Sequence, residues 1–123
     1  MKVVVTNNPM VRDKCSGVVE FHDTDYLGIL KILRDKVHLG HKLLTHPLSG
    51  SVKPGETPYK TVIMWASQGD LDEKALFVIE DSILTCHKFT NKAEKRDWGD
   101  DILADFQLID YDLVFSDIQD GRL

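Results

Sequence analysis

Cysteine is scarce. The 123-residue chain holds two, Cys15 and Cys86, far apart in sequence. That excludes a disulfide scaffold, a CxxC redox pair and a cysteine-rich zinc site. Long apolar runs are missing as well. Nothing approaches the roughly 18–20 residues of a membrane span, so no membrane partner is expected. The opening run Met1–Pro9 has a short apolar stretch without a small-residue cleavage site. No signal peptide is expected there, and a cytoplasmic protein is. Basic residues are not in excess: 15 Lys and Arg stand against 20 Asp and Glu, a net charge of -5. The chain therefore lacks the overall footprint of a nucleic-acid binder. Glycine-based phosphate motifs are absent too. Thr6-Asn7-Asn8-Pro9 stands where a dinucleotide fingerprint would follow the first strand, and Ser49–Gly55 lacks the GK[ST] ending of a P-loop. No GxSxG elbow is present.

What the chain does have is an uneven spread of charge. Residues 97–123 hold eight aspartates and one base, Arg122, a net of -7, which leaves +2 for residues 1–96. Segment 31–60 alone carries six Lys and Arg against Asp35 and Glu56, with His38, His41 and His46 among them. A basic middle and an acidic end can attract each other within one domain, or the basic middle can meet an anion.

Hydrophobic residues at 42% and charged residues at 28% are an ordinary globular balance. Lys2–Thr6 and Val18–His22 read as short strands. Asn8 before Pro9 is a helix start, and Ser16-Gly17 ends that helix. Thr24 can cap a helix to about residue 39, with Tyr26, Leu30, Leu33 and Val37 on one stripe and Gly40 at its end. His41–Thr45 and Tyr59–Trp65 read as a third and a fourth strand. Asp70 with Glu73 opens a long helix to about residue 90, whose stripe includes Leu71, Ala75, Val78, Ile79, Ile83 and Cys86. A last helix begins near Trp98, with Ile102, Phe106, Ile109 and Leu113 at helical spacing and a break allowed near Asp110. The expectation is a single α/β domain over 1–123, with an acidic helical segment at 97–123. Its order is β-α-β-α-β-β-α-α, around a mixed, mostly parallel, Rossmann-like four-stranded sheet of order 2-1-3-4, with the fourth strand antiparallel.

In such a sheet, ligands bind beyond the strand C-termini where the order reverses. That places Thr6, Asn7 and Asn8 beside Thr45, His46, Ser49, Gly50 and Ser51, with Lys53 adding a positive charge. Amides, hydroxyls, an imidazole and a loose backbone suit a small anion. The 46–58 loop, rich in Pro, Gly and Ser, is long for so small a domain, which favours a functional role. Two uses remain open. One is a ligand site. The other is a hydrolase or transferase in which His46 acts as base, Ser49 or Ser51 as nucleophile and Asn7 or Asn8 as oxyanion donor, although no geometry follows from loop spacing. No metal site is expected. Gly40 separates His38 from His41, and His22-Asp23-Thr24-Asp25 suits helix capping better than coordination.

Several runs carry a family resemblance: Gly40-His41-Lys42-Leu43-Leu44-Thr45-His46-Pro47-Leu48-Ser49-Gly50-Ser51-Val52-Lys53-Pro54, then Glu56–Lys60, with Thr6–Pro9 before and Asp105–Asp110 after. Together they resemble the GrdX family over essentially the whole chain. Gly55 departs from the polar residue, often Asn, of the family run. The resemblance implies context rather than chemistry. The family is named for genes lying with those of glycine reductase, a system of amino-acid-fermenting anaerobes. With the residue reading above, the expectation is a cytoplasmic accessory protein without a cofactor, whose partners are a small anionic metabolite or, as the resemblance implies, a glycine reductase component; a homodimer stays open. The resemblance assigns no catalytic residue.

Overall fold

The computed structural model describes residues 1–48, 57–92 and 99–115. Ser49, Gly50, Ser51 and Lys53, most of the 46–58 loop, and Trp98 lie outside the described residues.

β1 (Lys2–Thr6) is the centre of the sheet, as its run of β-branched residues requires. β2 (Val18–Phe21) joins it in parallel, with Val3 opposite Val18 and Thr6 opposite Phe21. Between them lies α1 (Pro9–Lys14), which starts on the expected Asn8 cap: the Asn8 side chain accepts from the Met10 backbone N–H. α2 (Tyr26–His38) is capped by Asp25 rather than Thr24, through the Gly28 N–H at 2.7 Å. It ends at Gly40, whose φ of 98° lies in the left-handed region that favours glycine. α3 (Glu73–Lys92) is capped by Asp72, whose carboxylate accepts from the N–H groups of Lys74 and Ala75. α4 (Asp100–Phe115) runs through Asp110 without a break.

The sheet differs from the expected one. Among the described residues it has three strands in the order β2-β1-β3, and β3 (Thr61–Trp65) lies antiparallel directly against β1, with Thr6 opposite Thr61 and Lys2 opposite Trp65. The segment expected as the third strand, His41–Thr45, makes only an isolated bridge, Leu43 to Met64, on the outer side of β3. The order within this pair is therefore inverted: the later segment sits inside and the earlier one outside. Burial explains it. Thr61, Val62, Ile63 and Met64 are all buried, as a strand covered on both faces and paired with β1 demands, whereas Lys42 and Leu44 are exposed and suit the outer position.

Alternation along the strands sorts side chains into two layers. Val5, Val62 and Met64 pack under α2 and α3 with Ile29, Leu30, Leu33, Val37, Ile79, Ile83 and Cys86. Val4 and Ile63 face the other way, against Val11 of α1 and Phe115 of α4. Helices thus cover both faces of a small α/β fold. No described helix is long and apolar enough to cross a membrane.

Candidate functional site

Antiparallel pairing changes what stands beside the end of β1. The start of β3, not the end of a third parallel strand, lies next to Thr6. The segment Thr57–Lys60 therefore occupies the place expected for Thr45–Ser51. Asn7 ties this segment down. Its side-chain amide donates to the carbonyls of Pro58 and Thr24, both at 2.8 Å, and its Oδ1 accepts from the Lys60 N–H at 2.8 Å.

Asn8 ties down α4. Its Nδ2 donates at 2.9 Å to Asp110 Oδ2 and to the Gln107 carbonyl, while its Oδ1 caps α1. Thr61 Oγ1 donates to the same Asp110 oxygen at 2.6 Å, and Thr6 Oγ1 lies 2.7 Å from Thr61 Oγ1. Thr6 Oγ1 also accepts from the Asn8 N–H. Thr6, Asn7 and Asn8 are all buried. Their polar groups are thus engaged by the protein itself, and they act as a frame beneath the surface.

That frame supports a narrow, half-open cleft at the end of the sheet, where the two helical layers meet. Its walls are Tyr26 of α2, Thr57, Tyr59 and Lys60 before β3, and Ile109, Asp110 and Leu113 of α4. The open space inside it is about 10 Å³, room for roughly one water molecule, so a ligand contact is made at its mouth rather than within it. Two ionisable groups in it are almost out of solvent: Lys60 is 4% exposed and Asp110 7%. Burial pushes the Lys60 amine down to about 8, against the opposing pull of the Asp110 charge. Burial also holds the Asp110 carboxyl above its ordinary range, although the hydrogen bonds from Thr61 and Asn8 and the charge on Lys60 favour the ionised form. The Tyr26 phenol is raised by burial and by the charges of Cys86 and Asp110, so it stays protonated. Gln107 Nε2 donates to the Tyr59 hydroxyl at 3.0 Å, and Thr57 Oγ1 accepts from the Tyr59 N–H at 3.3 Å. With those acceptor roles taken, both hydroxyls can turn their protons toward a ligand.

The other expected site residues lie elsewhere. Thr45 is half-buried at the outer edge of β3, and its Oγ1 accepts from the Ile63 N–H at 3.1 Å. His46 is exposed and accepts from the Leu48 N–H through Nδ1 at 3.0 Å. Both line a separate, shallow depression with Asp72, Lys74 and Val78. The structure therefore does not bring Thr45 and His46 to the cleft that stands on Thr6–Asn8. The residues that sequence reasoning missed are Tyr26, Thr57, Tyr59, Lys60 and Asp110. Asp110 left a signal: a carboxylate within the apolar pattern of the last helix. Lys60 left no physical signal beyond its place in the Glu56–Lys60 family run, since a lysine beside a strand is ordinarily solvated.

His41 Nδ1 lies 3.0 Å from the Trp65 carbonyl, a structural hydrogen bond. His22 pairs with Glu20 at 2.6 Å, and Lys36 with the same carboxylate at 2.8 Å. Among the described residues no three His, Cys, Asp or Glu side chains gather as a metal site would need.

Fold and cleft define a small α/β protein with helices on both faces of a mixed sheet and a buried lysine and a buried aspartate lining a cleft at the sheet's end. The chain belongs to the GrdX-like family, whose model, described as GrdX-like protein, matches residues 3–119. Neither the curated proteins nor the solved structures give a match to it.

Proposed function

We propose that the chain is a non-catalytic accessory protein of the glycine reductase system that binds a small anionic metabolite at the mouth of the Lys60 cleft. The ends of the 6–9 and 45–60 segments carry this function together: Asn7 and Asn8 frame the site from below, and Thr57–Lys60 form its wall. The observation that supports the reading best is Lys60 itself. The residue is 4% exposed, and burial pushes Asp110, which lines the same cleft, toward the neutral form. A carboxylate or phosphate at the half-open mouth meets a positive charge at Lys60 and the Thr57 and Tyr59 hydroxyls. The family name supplies the glycine reductase context, within which an amino acid or an acyl phosphate is the fitting ligand class.

Thermal denaturation in the presence of phosphate, glycine, sarcosine and acetyl phosphate tests this. A ligand at a hundred times its dissociation constant adds about 2.7 kcal/mol of stability and raises the melting temperature. Lys60→Met keeps the volume and removes the charge, so it abolishes the rise. If no ligand shifts the transition, or if the shift survives Lys60→Met, the cleft is not the site.

A further inference from the structure

We propose that the outer face of α4 is a docking surface for a basic, amphipathic helix of another protein. α4 is apolar on both sides. Inward, Phe115 is buried, and Tyr111 and Val114 pack against the layer of Val4, Val11 and Ile63. Outward, Ile102, Leu108, Ile109 and Leu113 are each between 42% and 49% exposed. A helix apolar all round is ordinarily buried all round. α4 instead packs on α1 and β3 on one side and leaves the other to solvent. The spacing gives that outer side a shape. Ile102, the half-buried Phe106, Ile109 and Leu113 follow one another at intervals of four, three and four, a single row down the helix. Asp101, Asp105, Leu108 and Asp112 keep the same intervals one residue earlier, so an acidic row runs beside the apolar one. From Ile102 to Leu113 the two rows extend about 16 Å, or three turns.

Charge decides the occupant. Asp101, Asp105 and Asp112 are exposed, and no ion pair among the described residues engages them. Residues 99–115 contain no Lys or Arg to offset them. Such a surface repels nucleic acid and anionic lipid. It suits apolar side chains flanked by Lys or Arg. A second copy seated face to face is disfavoured, because a two-fold axis sets like flank on like flank and would bring the two aspartate rows together. A basic helix lying along α4 places its apolar stripe on Ile102, Ile109 and Leu113, and its cations reach Asp101, Asp105 and Asp112. Ile109 and Leu113 also line the Lys60 cleft, so the docked helix borders the cleft's mouth. Docking does not depend on an anion being bound there.

The test uses the intact chain and a fluorescent synthetic peptide as long as α4. The peptide carries leucines at the same four-three-four intervals and lysines on both flanks, and fluorescence anisotropy reads its Kd. Two control peptides keep part of this chemistry: one has glutamate in place of every lysine, and one has the same composition in scrambled order. The expected result is that both controls bind at least tenfold more weakly than the lysine peptide, and that added salt weakens the lysine peptide. Two double variants locate the contact. Asp105→Lys with Asp112→Lys reverses the acidic row, and Ile102→Ser with Leu108→Ser removes exposed apolar side chains. Each is expected to weaken binding at least tenfold, and far-UV circular dichroism checks that each remains folded. Binding of the scrambled or glutamate peptide as tight as that of the lysine peptide overturns the proposal. So does unchanged binding by both folded variants. Light scattering after gel filtration tests the remaining occupant. The intact chain is expected to run as a monomer; a dimer that Ile102→Ser with Leu108→Ser turns into a monomer assigns the face to a second copy and overturns the basic partner.

Discussion

Asn8 does three jobs with one side chain. It caps α1, holds the Gln107 carbonyl of α4 and donates to the buried Asp110 carboxylate. Asn8→Ala removes the cap and leaves two buried acceptors short of a donor, a loss of about 2–4 kcal/mol by chemical denaturation. Asn8→Asp separates these effects. Aspartate caps a helix as well as asparagine, but here it sets a second carboxylate against Asp110. This variant is therefore expected to be destabilised at pH 7 and to recover toward wild type as acid protonates the pair. Lys60 gives a second test with a defined window. Its folded value of about 8 lies below the ordinary 10.5, so burying the charged amine costs stability below pH 8. The cost is relieved as pH rises from 8 to 10.5, because there the unfolded lysine holds a proton the folded one has shed. Wild type should gain stability relative to Lys60→Met across that interval. A constant difference between the two proteins contradicts the burial of the charge.

At the level of elements, α4 shows how an apolar pattern misleads. Ile102, Phe106, Ile109 and Leu113 share helical spacing, yet Ile109 is 42% and Leu113 44% exposed, while Asp110 and Phe115 are buried. The Asn8 and Thr61 donors turn the helix so that its carboxylate faces the sheet. Ile102→Ala should thus change stability by no more than about 0.5 kcal/mol, whereas Phe115→Ala should cost about 3–5 kcal/mol. The helix starts, by contrast, were largely legible, because capping is local: Asn8 opens α1 as expected, and α2 and α3 begin within two residues of their expected caps. Gly40 was legible for the same reason. Its positive φ and the close approach of the Gly69 carbonyl leave no room for a methyl group, so Gly40→Ala should cost about 2 kcal/mol or more. Strand pairing was less legible because it is not local. His41–Thr45 has strand-like composition, and only the tertiary contest with Thr61–Trp65 decides which one joins β1. That single inversion moved the site, since it put Thr57–Lys60 at the end of β1 and left Thr45 and His46 on the outer edge.

At the scale of the whole molecule, two helical layers meet at one end of the sheet, and the cleft opens there. The C-terminal end of β1 was legible as the place where this fold gathers polar groups, from Thr6-Asn7-Asn8-Pro9 alone. What those residues do was not legible: they bind the protein's own loop and helix and position Lys60 and Asp110 above them. The central claim is that a small anion binds at the mouth of the Lys60 cleft. Backbone amide NMR spectra recorded during a phosphate titration test it most directly. Shifts are expected at Thr57, Tyr59, Lys60, Asp110 and their neighbours, saturating with ligand and vanishing in Lys60→Met. Shifts confined to Thr45, His46 and Lys74, or none at all, would contradict it.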